Sequence, residues 1–363
     1  MAYSYYRSVT IDYTKCGTSD STDFPVLVSF TDLNFRTVAN GGRVQNASGY
    51  DIAFYSDSAR TTPLFWEIDQ YDANSGATGT CSFWVKIPTL SVTANTVIYV
   101  AYGDTSISSF QSTASSVWNS NYKMVYHIKN GSTLNLTEST SNGNNFTNSG
   151  ATATTGKIDG GANFVRTSFQ KINTTSNFVI PTTGTASFWA KCSVAPDGTV
   201  GNKQPFITQR IASPIRAFDL YIYQGGGIFG WYNNGVDNRV SVSLTGVILA
   251  NVWYYYTLVW TNGGITELRI NAVSKGSTPT LTATYATNTL PTSLGWDTLG
   301  GALTAIDYFS GQLDEVRFSN TVRSTSWITA EYNNQDSPST FFTLGTETPT
   351  TPTTSTSDFF QFF

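Results

Sequence analysis

Histidine occurs once in 363 residues, methionine twice and cysteine three times. These scarcities remove the raw material of common enzyme classes. A Ser-His-Asp triad or an imidazole-rich metal site would have to use His127. That residue stands in residues 124–128 (MVYHI), an apolar run read as an opening strand, so its expected role is structural, at a sandwich edge. Cys16, Cys81 and Cys192 are odd in number and spread along the chain, which builds no disulfide framework. They read as three small buried or half-buried thiols, with a Cys16–Cys81 bridge as the alternative. No glycine-rich phosphate loop precedes a helix. Charged residues are only 12% and the net charge is −4 without a basic stripe, which argues against nucleic acid as a partner. No run approaches the roughly 18 continuous apolar residues of a membrane-crossing helix. Residues 1–7 (MAYSYYR) lack the apolar stretch and small-residue cleavage site of a secretory signal. Surface chemistry of an extracellular kind without an export address is the pattern expected of a virion protein, assembled inside the host cell and released by lysis.

What the chain has instead is 14% aromatics in a background of Thr, Ser, Asn and Gly, a composition of strand formers and turn residues. Residues 6–11, 24–30 (FPVLVSF), 50–55 (YDIAFY), 81–87 (CSFWVKI) and 96–102 (TVIYVAY) read as short strands. Gly41-Gly42, residues 46–49, residues 74–79 and Pro88 punctuate them as turns and loops. The spacing predicts an antiparallel β-sandwich over residues 1–105. A Ser-rich connector, 106–120, leads to a second β domain at 121–345. Residues 346–363 are then a Thr/Pro-rich linker ending in DFFQFF.

The chain is organised around residues 311–334 (GQLDEVRFSNTVRSTSWITAEYNN), a closing strand followed by a helix. Val316 and Phe318 alternate with Glu315 and Arg317 at a strand's period of two, while Leu313 and Asp314 enter out of phase, predicting a bulge. Ser324 is a candidate N-cap. Trp327, Ile328, Glu331 and Tyr332 share one side of a helix expected to cap an open end of the sandwich. Trp189, Trp253, Trp260, Val316 and Phe318 are expected in one core, with the last strand of the domain ending near Leu344.

This stretch resembles the end of the laminin-G-like, concanavalin A-like jelly-roll domains, in which a G-x-[LI]-D-E-V-R strand leads into a Ser-capped helix. The resemblance continues upstream in residues 127–130, 156–164 (GKIDGGANF), 185–191 (TASFWAK), 251–260 (NVWYYYTLVW) and 268–272 (LRINA). The first domain is similar to a family of unknown function common in bacterial and phage surface proteins. Asp51-Ile52-Ala53-Phe54, Phe65-Trp66-Glu67, Phe83-Trp84-Val85-Lys86 and residues 98–103 carry that likeness. Together the two resemblances imply an all-β protein of two antiparallel sandwiches, the second a jelly roll.

Glu67-Ile68-Asp69-Gln70-Tyr71-Asp72 is similar to the E-[ILV]-D-x-x-E run of retaining β-glucanases, where paired carboxylates about 5 to 5.5 Å apart perform double displacement. Here the last member is Asp72, one methylene short, and the run lies outside the jelly roll. The expected role of Glu67 and Asp69 is therefore a solvated strand edge, with a glycoside hydrolase as the disfavoured alternative. Candidates for glycan binding are Tyr223, Trp231, Tyr232, Asn233, Asn234 and Trp296, which supply rings for sugar C–H faces and amides for hydroxyls. The resemblance also implies calcium in some members, for which Asp219, Asp237, Asp297 and Asp307 are available. Phe359, Phe360, Phe362 and Phe363 form an apolar tip suited to docking on other virion proteins or on its own subunits in a homo-oligomer. The resulting expectation is a non-enzymatic phage virion surface protein, a decoration, fibre or tail-associated component displaying a lectin-like domain. A bacterial cell-surface or secreted adhesin is the alternative.

Overall fold

The computed structural model describes residues 3–73, 78–129, 133–175, 178–196, 203–212, 215–233, 236–278, 291–297 and 307–350. The first sandwich pairs a sheet of Ser21–Asp32, Gly79–Leu90 and Trp66–Asp72 with a second built on Tyr5–Ile11, Thr96–Tyr102 and Ile52–Tyr55. Side chains of alternate parity, among them Val26, Val28, Phe83 and Val85, fill the core between them. The opposite parity of the three-stranded sheet forms a row, Leu27, Trp84 and Glu67, paired in register across the strands. That row is also buried, because the second domain lies against it.

The second domain stacks an eight-stranded sheet on a seven-stranded one. Phe188, Tyr256, Leu258, Trp260, Val316 and Phe318 project from the first, and Phe206, Phe218, Leu220, Phe229 and Trp231 from the second, into one apolar core. Gly311–Ser319 sits inside the larger sheet, bonded to Gly184–Cys192 on one side and to Gly160–Phe164 and Tyr122–Tyr126 on the other. The predicted bulge is there. The register slips between Ser187 and Trp189, and Glu315 takes a left-handed φ of 51°. Because of that extra residue Leu313 and Val316, three apart, both face the core.

Several expectations need correction. Trp260, Val316 and Phe318 share the core, but Trp189 is buried on the opposite face and Trp253 is only half-buried there, with Lys191 over its ring at 5.1 Å. The helix Thr325–Asp336, capped by Ser324 Oγ accepting from the Trp327 amide at 3.1 Å, does not close a sandwich end. It is wedged between the domains: Trp327 packs on Phe24 at 4.7 Å, Asn334 exchanges two hydrogen bonds with the Leu27 backbone, and Gln335 accepts from Trp189 Nε1 at 2.7 Å. Finally, Phe342–Leu344 pairs with Tyr5–Ile11, so Leu344 ends a strand of the first sandwich and not of the jelly roll. Thr348–Pro349 adds to the same strand, and Tyr102 donates to Glu347 at 2.8 Å, so the Thr/Pro linker begins later than residue 346. Phe359, Phe360, Phe362 and Phe363 lie outside the described residues. The three cysteines are buried and free, which removes the Cys16–Cys81 bridge.

Candidate functional site

Period-two alternation decides what the seven-stranded sheet shows to the outside. Along Ile215–Tyr223, Phe218, Leu220 and Ile222 turn inward, leaving Asp219, Tyr221 and Tyr223 on the outer face. Along Gly226–Asn233, Phe229 and Trp231 turn inward and Tyr232 outward. Asp237 and Arg239 follow from the edge strand, paired opposite Tyr232 and Gly230. Gly230 stands between Asp219 and Arg239 in the register, at a φ of 132°, and a Cβ there would meet Asn238 O at 2.9 Å. With no side chain in between, Arg239 Nη1 reaches Asp219 at 2.9 Å.

A ladder of ion pairs therefore crosses this face. Asp237 binds Arg239 at 2.8 Å, Arg239 binds Asp219, Asp219 binds Arg210, and Arg210 binds Asp297 at 2.9 Å, with Lys203 also on Asp297. Although burial opposes it, the Arg239 hydrogen bonds hold the Asp237 carboxyl below its ordinary range. Rings border the ladder: Arg239 lies 5.0 Å over Tyr232, Arg210 5.3 Å over Tyr221, and Lys171 3.7 Å over Trp296, which stacks on Tyr308.

Of the sugar-binding candidates, the structure brings Tyr223, Tyr232 and Trp296 to this sheet, all half-buried. Trp231 is a correction: at 2% exposure it packs edge-on to Phe218 inside the core. The Asn233 side chain and all of Asn234 lie outside the described residues. The aspartates do not fit a calcium cage. Asp219, Asp237 and Asp297 already spend their oxygens on Arg210, Arg239 and Lys203, whose charges do a cation's work, and Asp307 offers its carbonyl to the Asp297 amide. Sequence reading missed Arg210, Arg239 and Lys171; their parity with Asp219 and Tyr232 was the available signal.

The second candidate lies where the domains meet. Glu67 and Asp69 are buried, not solvated, which corrects the strand-edge expectation. Glu67 accepts from Lys129 Nζ at 2.8 Å, Ser139 Oγ at 2.7 Å and Trp118 Nε1 at 2.9 Å. A bulge in Trp66–Asp72, where Ile68 pairs with Phe83 and Gln70 with Ser82, re-aims Asp69. His127, expected at a sandwich edge, is buried: it stacks on Trp84 and packs at a tilt against Trp118, each 5.3 Å away. Its Nδ1 lies 2.8 Å from Glu315 and 4.0 Å from Asp69, and its Nε2 3.5 Å from Glu67. Arg317 joins Glu315 and Glu331, each at 2.7 Å, and covers Trp84 at 4.2 Å. Burial and the Glu315 charge push Asp69 up to about 7 against the pull of His127. Against its own burial, His127 is held up at about 10 by Glu315 and Glu67. A cleft of about 390 Å³, lined by Lys129, Asn135, Ser139 and Thr140, reaches Glu67 from outside.

Comparison with known proteins agrees with this architecture. Residues 159–329 match the family described as the concanavalin A-like lectin/glucanases superfamily, and residues 48–142 match a domain of unknown function, DUF2341. The second domain is a concanavalin A-like jelly roll, and it is preceded by a β-sandwich that matches the DUF2341 model over residues 48–142. Similar solved structures include the binding domain of Paraclostridial Mosquitocidal Protein 1, at 13% identity over 58% of this chain and 52% of that one, with a TM-score of 0.47. Domain 4 of AbnA, an arabinanase of Geobacillus stearothermophilus in complex with arabinotriose, is 19% identical over 58% of this chain and 97% of its own, with a TM-score of 0.42. The botulinum neurotoxin serotype D binding domain is 17% identical over 59% and 52%, with a TM-score of 0.43. This chain thus spans about half the length of the first of these. No curated protein sequence matches it.

Proposed function

We propose that this chain is a non-enzymatic, lectin-like phage virion surface protein, a decoration, fibre or tail-associated component, that binds glycans on the outer face of its seven-stranded sheet. The carrying observation is the half-buried Tyr232 ring beside the Asp237–Arg239–Asp219 ladder, with half-buried Trp296 next to Asp297 at the ladder's other end. A sugar ring offers C–H groups to a flat aromatic face and hydroxyls to planar acceptors and donors, and this face supplies both side by side. Because the ladder is already ion-paired, its groups are fixed in orientation before a ligand arrives, which lowers the ordering cost of binding. The non-catalytic reading is supported by the burial of Glu67 and Asp69 beneath the second domain. The virion reading rests on composition and on the first domain's likeness to surface proteins.

A glycan array probed with labelled protein tests the binding reading. Tyr232→Ala and Arg239→Ala are expected to lose about ten-fold or more in affinity, since an exposed stacking or bidentate contact is worth on the order of 1 to 2 kcal/mol. Val322→Ser, at an exposed site elsewhere, leaves binding unchanged. An array without hits, or variants that bind like the wild type, overturns the assignment. Mass spectrometry of purified phage particles tests the location separately, and absence of the chain from particles rejects the virion reading alone.

A further inference from the structure

We propose that Asp69, His127 and Glu315 hold a divalent transition-metal ion, zinc or manganese, at the buried junction of the two domains. One donor atom from each, the imidazole Nδ1 and two carboxylate oxygens, lie within 4.8 Å of one another. One nitrogen and two oxygens are a donor set that such ions accept, with a further position left for water. Asp69 gives a second, independent sign. Its side chain is 1% exposed, neither of its oxygens has a hydrogen-bond partner, and it stands 4.0 Å from His127 Nδ1. Buried carboxylates are paired or coordinate a metal, and this one has no hydrogen bond and only the His127 ring at 4.0 Å.

The outer ring of the site has the matching form. A metal-bound imidazole passes its other N–H to a carboxylate, which fixes the ring and the tautomer. His127 Nε2 faces Glu67 Oε2 at 3.5 Å, and Glu67 is itself held by Lys129, Ser139 and Trp118, making it a positioning residue. Trp84 stacks on the ring and Trp118 packs against it at a tilt, which limits its rotation. Donors about 2.0 to 2.2 Å from a tetrahedral ion are ~3.3 Å apart. Glu315, at 2.8 Å from Nδ1, opens by about half an ångström, and Asp69 closes by about as much.

The test uses the full chain, stripped with EDTA, dialysed, and titrated with Zn²⁺ and Mn²⁺. Elemental analysis is expected to find about one equivalent retained, with a metal-dependent rise in Tm, and Co²⁺ in its place is expected to give the visible absorption of a low-symmetry N/O site. Asp69→Asn keeps the volume and removes the charged ligand, and is expected to weaken binding at least ten-fold. Glu67→Gln is expected to weaken it about 10- to 100-fold while keeping the stoichiometry. A wild-type protein that retains no stoichiometric metal, or an Asp69→Asn protein that binds as tightly as wild type, overturns the proposal. So does an Asp69→Asn protein that gains Tm in EDTA while the wild type ignores metal, which would assign the site a proton.

Discussion

Cys16 and Cys192 show how far burial alone sets reactivity. Desolvation pushes both thiols up to about 12, and Cys81, enclosed under the first sheet, is raised as well. The thiolate is the reactive species, so the native protein at pH 8 is expected to be inert to a disulfide reagent and to titrate three thiols once denatured. A count of one would restore the Cys16–Cys81 bridge. Residue parity was legible in the sequence and partly misread. Trp253 and Trp260 are seven positions apart in one strand, an odd number, so they point to opposite faces, and only Trp260 reaches the core. The burial of Glu67, Asp69, Glu315 and Arg317 was not legible in the same way, because alternation says which face a side chain occupies and never what covers that face.

The helix Thr325–Asp336 carries much of the contact between the domains. Its cap and its Trp-Ile-Glu-Tyr side were readable from spacing, but its polar residues hold the junction. Asn334 donates to and accepts from the Leu27 backbone, and Ser326 Oγ accepts from the amides of Thr18 and Ser19. The Leu27 amide and carbonyl would otherwise be orphaned in a buried place, so Asn334→Ala is expected to cost about 1 to 3 kcal/mol in urea unfolding. An unchanged midpoint would mean that water replaces the amide. The bulge in Gly311–Ser319 works at the same scale. It was foreseen from the phase slip at Leu313 and Asp314, and its consequence is that Glu315 and Arg317 turn toward the helix and the first domain while Leu313 and Val316 stay with the jelly roll.

At the scale of the whole molecule, the two sandwiches were visible in motif order, but their nesting was not. Phe342–Leu344 completes a sheet that begins at Tyr5, and nothing in those three residues names the partner strand. Phe342 is buried, which is worth roughly 1.5 to 3 kcal/mol before the strand's hydrogen bonds are added. Truncation after residue 341 is therefore expected to lower Tm sharply or yield insoluble protein. Removal of residues 358–363 leaves Tm unchanged and, if the aromatic tip docks the protein, abolishes its incorporation into particles or its self-association. Equal Tm values for the two truncations would show that the strand contributes nothing.

The same nesting bears on synthesis. A ribosome delivers Tyr5–Ile11 first and Phe342–Leu344 more than 300 residues later, so one side of the opening strand waits unpaired while the entire jelly roll is translated. An open strand edge is a template for the wrong neighbour. On crowded polysomes, neighbouring nascent chains present the same edge at the same time. The first sandwich can be completed only after the jelly roll has been made, which makes slow translation a direct route to misassembly.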